Sequence, residues 1–170
     1  MRYGGKMESS RLTLPETGVL LNNGIMWFDP EQGKPNSLGP NKPCLANMCP
    51  VMGERRDGFQ FALGAAGGRK IIPAVSLLAS YIMDKGMDLD EAIHSPRIDV
   101  SGVPVVVDES FPHDVKQQFK SAMAEHSDVV EAPRTVYPYN FACPSAVASK
   151  DGQHQGVTEI MSFWSDSLSE

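Results

Sequence analysis

The stretch that most constrains this chain is 59–85, where a strand-like run, a glycine cluster and a long periodic segment follow one another without a break. Residues 59–64 read as a strand, and the sequence GAAGG at 64–68 leads directly into 69–85. In that segment Ile72, Val75, Leu78, Ala79, Ile82 and Met83 recur at three- and four-residue spacing, which lays one apolar stripe along a helix. Pro73 falls in the first turn, where its missing N–H costs nothing, and Gly86 follows the helix as a C-cap. A strand that becomes a helix through glycines asks for a helix packed closely on a sheet.

The flanking segments extend this pattern. A second strand is expected at 48–52, joined to the first by the charged turn Glu54-Arg55-Arg56-Asp57-Gly58. Asp88, with Glu91 three residues on, reads as the N-cap of a short helix that stops before Pro96. Residues 103–108 read as a strand, and 114–125 as an amphipathic helix with Val115, Phe119 and Met123 on one side. Strands are expected at Val129-Val130, 145–149 and 156–162, with Asp151-Gly152 as the turn between the last two. Near the start, the apolar run at 18–21 is expected to open the ordered structure as a strand. Residues 29–43 hold four prolines and two glycines and form a loop, of a length that is more often functional or disordered than a simple connector. β-Rich ends around two central helices predict a layered α+β domain over 12–170, behind an unanchored segment at 1–11.

At 170 residues the chain can bury the core of one domain. Fifteen lysines and arginines against twenty-one acids give a net charge of −6, which argues against a nucleic-acid partner. No apolar run approaches the length of a membrane span, so no membrane partner is expected. The opening MRYGGKMESS lacks the apolar stretch of a signal peptide. Cys44, Cys49 and Cys143 cannot all pair within one chain, and reduced thiols are the expectation. Cys44 and Cys49 lack a second nearby pair, and the four histidines are scattered, so neither a metal nor a cofactor is expected.

Two readings fit the GAAGG turn. Its glycines can serve tight helix–sheet packing alone. They can also bring backbone N–H groups close to a ligand at the positive end of a helix, where two amides can stabilise a developing oxyanion. A phosphate loop fits less well, because Arg69-Lys70 stand where a Lys-Ser/Thr pair would follow the last glycine.

The segments TGVLLNNGIMWFDP (17–30), PNSLGPNKPCLANMCP (35–50), GAAGGRKII (64–72) and GMDLDEAIHSPR (86–97) together, in this order and spacing, resemble the small subunit of gamma-glutamyltranspeptidases. The resemblance runs from about Leu12 to the C-terminus and is best over 17–97. It implies part of an αββα N-terminal-nucleophile (Ntn) hydrolase sandwich, without the large-subunit portion that lies upstream. In that family a self-cleaved precursor frees a terminal threonine, which attacks an amide carbonyl and forms an acyl-enzyme. Water or an amine then takes the acyl group. The terminal amine serves as base for its own hydroxyl, so none of the four histidines is required.

By this resemblance Gly67 and Gly68 match the oxyanion-hole glycines, and Asn23 lies in the stretch that shapes the acyl pocket. Ala46 and Asn47 fall where gamma-glutamyl enzymes carry a serine pair for the substrate α-carboxylate, and of the two only Asn47 can donate a hydrogen bond. Trp27 falls where those enzymes have an aspartate for the α-amino group, and Gly24 replaces a polar partner. A tryptophan offers an ammonium at best a cation–π face or an apolar wall, so the expected substrate is not a simple gamma-glutamyl compound but a gamma-glutamyl-like or other small amide. Alternatively Trp27 only fills the core, since one of Met26, Trp27 and Phe28 must face inward in either case.

The resemblance also puts the nucleophilic threonine upstream of Met1. Thr13 and Thr17 are internal and lack a free amine, so this chain alone is expected to be inactive. Its expected partner is the upstream large-subunit portion, or another copy of itself. The alternative is a non-catalytic remnant that serves as a binding or subunit-interaction module.

Overall fold

The structure, a computed structural model, describes residues 12–135, 139–162 and 165–168, apart from the side chain of Met26. It divides into two units, Met1–Ala46 and Asn47–Glu170.

The first unit is built from turns. The Leu21 amide donates to the Leu12 carbonyl at 2.8 Å and the Leu14 amide to Val19 at 2.9 Å, which leaves an isolated bridge, Thr13 with Leu20. The strand expected at 18–21 is reduced to this bridge. Gly18, at φ +68°, closes a turn on Leu14 there, and Val19 and Leu20 stay exposed. A 3-10 turn, Gly24–Trp27, leads into the proline-rich loop. That loop is ordered by its own bonds. The Asp29 amide donates to Asn36 at 2.8 Å, and buried Ser37 accepts from the Lys34 amide at 2.8 Å while donating to the Glu31 carbonyl.

The second unit holds, in chain order, β1 (Val51–Glu54), β2 (Gln60–Ala66), α1 (Ile71–Met83), α2 (Leu89–His94), β3 (Ile98–Asp99), β4 (Val105–Asp108), α3 (His113–Met123), β5 (Val129–Ala132), β6 (Cys143–Lys150) and β7 (Gln153–Thr158). One antiparallel sheet has the order β1-β2-β6-β7. A second has the order β3-β4-β5, in which α3 carries the chain across to make β4 and β5 parallel.

Register decides which face of the larger sheet is buried. Phe61 pairs with Ala148, Leu63 with Ala146, and Ala146 with Val157, so these five buried side chains share one face. Val75, Leu78 and Ile82 of α1 and Leu89, Ala92 and Ile93 of α2 close over that face with no exposed surface. Each such leucine or isoleucine contributes about 1.5–3 kcal/mol relative to an exposed one. Among the described residues no helix covers the opposite face, where Met52 and Val147 are 85% and 58% exposed.

The periodic segment at 69–85 forms a 3-10 turn, Gly68–Lys70, continued by α1. The Glu91 amide donates to the Asp88 side chain at 2.8 Å, so α2 has its expected cap. The strand bounds differ from expectation, most of all at the starts of β1 and β7. β1 begins at Val51 instead of 48, immediately after Pro50, which has no N–H for the ladder. β7 begins at Gln153 instead of 156, because Asp151 (φ +53°) and Gly152 (φ +78°) form a two-residue turn that pairs Lys150 directly with Gln153.

Candidate active site

β2 ends at Ala66, opposite Cys143, and the next two residues leave the strand with positive φ, +145° at Gly67 and +63° at Gly68. Each must be glycine for its own reason. A Cβ on Gly67 would stand 2.9 Å from the Ala142 Cα, which is backbone and cannot yield. A Cβ on Gly68 would meet nothing nearer than 3.9 Å, so that position is constrained by its left-handed backbone alone. The Lys70 amide then donates to the Gly67 carbonyl at 3.3 Å and starts the turn into α1. The glycine amides therefore stand at the N-terminal end of a 13-residue helix, where unpaired N–H groups carry partial positive charge.

The atom nearest to that Gly68 position is Nδ2 of half-buried Asn47. Asn47, Gly67 and Gly68 are thus brought together within the 47–170 unit. Beyond the glycines, the Lys70 ammonium donates to the carbonyls of Asn140 (2.6 Å) and Tyr139 (3.0 Å) and lies 3.6 Å from buried Asp99. Behind the loop at 139–142, buried Arg97 pairs with buried Glu159, and Arg134 lies 3.0 Å from Asp108. Burial pushes the Cys143 thiol up, and the Glu159 charge adds to the effect, so this cysteine stays protonated and is a poor nucleophile.

Within the 12–46 unit, Gly24 and Trp27 are neighbours. A Cβ on Gly24 would lie 3.9 Å from the Trp27 ring, an ordinary contact, and 3.2 Å from Asn22 Oδ1, so an alanine at 24 would crowd Asn22. Trp27 is half-buried, and its carbonyl accepts from Asn36 Nδ2 at 2.6 Å. The Asn36 Oδ1 accepts from the Leu45 amide at 3.0 Å, one residue before exposed Ala46. Asn23 is half-buried beside the 3-10 turn.

Lys70 and Asn36 were not singled out in the sequence. In the sequence Lys70 reads as the wrong residue for a phosphate loop, and the carbonyls it donates to lie about seventy positions away, out of reach of any local pattern.

Residues 7–158 match the family model described as Gamma-glutamyltranspeptidase. The chain belongs to the gamma-glutamyltranspeptidase family. It is 32% identical over 120 residues to the acylase ACY 1 proenzyme of a Pseudomonas species, covering 71% of this chain and 21% of that protein. It is 35% identical over 108 residues to a glutathione hydrolase proenzyme of Arthroderma benhamiae, covering 57% of this chain and 18% of that protein. The chain therefore spans about a fifth of the length of the curated relatives it matches.

Among solved structures, a mutant of gamma-glutamyltranspeptidase from Helicobacter pylori aligns at a TM-score of 0.69 and 22% identity, covering 95% of this chain and 91% of that chain. The Pseudomonas nitroreducens enzyme complexed with L-DON aligns at 0.69 and 17% identity, covering 95% and 88%. At these identities the likeness is one of fold: the mixed α/β fold seen in these gamma-glutamyltranspeptidases.

Proposed function

We propose that residues 12–170 form the small-subunit-like part of an Ntn amidohydrolase or acyltransferase, in which Gly67 and Gly68 supply the oxyanion hole. The observation that carries this reading is the pair of positive-φ glycines between β2 and the start of α1, within a chain of this family. A threonine on polypeptide outside these 170 residues attacks the substrate amide carbonyl, and its own terminal amine takes the hydroxyl proton. As the carbonyl oxygen gains charge, the N–H groups of Gly67 and Gly68 donate to it. The leaving amine departs with a proton, and water or an acceptor amine then releases the acyl group from the threonine.

Asn47, beside Gly68, is suited to donate to a carboxylate or carbonyl of the substrate. Asn23, Gly24, Trp27 and Ala46 form the acyl pocket in this reading, with the Trp27 ring as a wall where a carboxylate would hold an ammonium. The preferred substrate is thus an amide whose acyl part lacks a free α-amino group. The helix-free face of the larger sheet, with Met52 and Val147, receives the large-subunit portion and completes the αββα sandwich.

The test is Gly68→Val in the enzyme assembled with its upstream portion. Valine keeps the N–H but is strained at the φ of +63° that aims it, and loss of one aimed oxyanion donor should lower kcat about 100- to 1,000-fold. An unchanged kcat would refute the assignment.

A further inference from the structure

We infer that Lys70 is a positioning residue for the Gly67–Gly68 turn, acting through the loop at 139–142. This rests on the oxyanion-hole reading above and names the device that holds the turn in place. Lys70 is the last residue of the 3-10 turn that begins at Gly68. Its ammonium donates to two consecutive carbonyls, Tyr139 at 3.0 Å and Asn140 at 2.6 Å, and lies 3.6 Å from Oδ2 of Asp99, which is 6% exposed. The next two residues, Phe141 and Ala142, are buried, and Ala142 is the residue whose Cα lies against Gly67. The glycine turn therefore meets one loop at both ends: Gly67 by backbone contact at Ala142, and Lys70 by charge-assisted hydrogen bonds at 139–140.

The geometry has a direct consequence for the glycine amides. Gly67 can only sit where Ala142 allows it, and Ala142 can only sit where the carbonyls before it are held. A neutral side chain at position 70 would leave two carbonyls and the buried Asp99 carboxylate without their shared cation. The loop would then move outward toward water, and the turn would follow. Displacing an oxyanion donor by a fraction of an ångström weakens its bond to the transition state more than it weakens substrate binding. The effect therefore belongs in kcat and not in KM.

The experiment compares Lys70→Met, Lys70→Arg and Gly68→Val in the full-length assembled enzyme, measuring kcat and KM on one amide substrate. Lys70→Met should lower kcat about 10- to 100-fold with KM within about two-fold, as expected for a small misplacement of catalytic groups. Lys70→Arg, which keeps the charge and several donors, should recover most of that loss. A Met variant with wild-type kcat, a loss carried by KM alone, or equal losses for Met and Arg would each overturn the inference. Gly68→Val separates the two levels. If it leaves kcat unchanged, the oxyanion-hole reading itself has failed. If it lowers kcat while Lys70→Met does not, only the role of Lys70 has failed.

Discussion

Gly67 is pressed against Ala142, with room for no side-chain atom: an added Cβ would stand 2.9 Å from the Ala142 Cα and 3.0 Å from its Cβ. Gly68, one residue on, has open space and only a positive φ to satisfy. Alanine at the two positions should therefore act differently. Gly68→Ala should destabilise the chain by about 1–2 kcal/mol, the cost of a left-handed residue. Gly67→Ala adds overpacking against backbone and should cost about 2–4 kcal/mol. Urea unfolding of the two variants checks this, and equal or inverted losses would mean that Ala142 gives way.

Much of the fold was legible because its signals were local. The stripe of Val75, Leu78 and Ile82, the Asp88 cap and the Asp151-Gly152 turn each follow from a few adjacent residues, and each appears in the structure. Strand bounds were less legible. They depend on partners, and β1 could only start after Pro50 once Val51 had found Leu63. At the site, the glycine pair could be read from GAAGG and Asn47 from the resemblance, whereas the contacts of Gly67 and Lys70 with the loop at 139–142 join residues about seventy positions apart. No periodicity encodes such a meeting.

Arg97 and Glu159 form an ion pair with 1% and 2% side-chain exposure, joined by Arg134 at 3.9 Å from the same carboxylate. Burial pulls the Arg97 pKa down, and Glu159 opposes that pull. Glu159→Gln would leave a buried guanidinium without its counter-charge and should cost about 3–5 kcal/mol. The double variant Arg97→Met with Glu159→Leu should cost less than Glu159→Gln alone, as measured by chemical denaturation. A larger loss in the double variant would show that the pair stabilises the fold beyond its own desolvation.

Glu131 on β5 accepts from Lys116 (2.7 Å) and Lys120 (2.5 Å) of α3, and these two ammonium groups hold its pKa down to about 2 from an ordinary 4.5. The folded value lies below the unfolded one. The stabilisation is therefore present above about pH 4.5 and is lost as the pH falls toward 2. Carboxyl-carbon NMR should show Glu131 titrating well below the other glutamates, less so at high salt. In Glu131→Gln, the fall in stability over that pH window should be shallower. A Glu131 midpoint at the ordinary value would remove the basis for this expectation.

Trp27 can be tested by restoring charge. In the assembled enzyme, Trp27→Asp should raise kcat/KM for a gamma-glutamyl anilide relative to the matched anilide without the α-amino group. A charged hydrogen bond contributes about 1.5–3 kcal/mol, so the ratio should change on the order of 10- to 100-fold. Equal effects on both substrates would show that Trp27 faces away from the acyl group.

The central claim is that this chain supplies the oxyanion hole and pocket of a threonine amidohydrolase while the nucleophile comes from polypeptide outside it. Hydrolysis of a panel of gamma-glutamyl and other acyl anilides, by the 170-residue chain alone and by the chain joined to its upstream portion, tests that claim most directly. The account predicts no turnover above a buffer blank for the chain alone, and amide hydrolysis, abolished by replacing the terminal threonine, once the upstream portion is restored. Turnover by the chain alone that survives repurification would contradict it, because some residue within these 170 would then be the nucleophile.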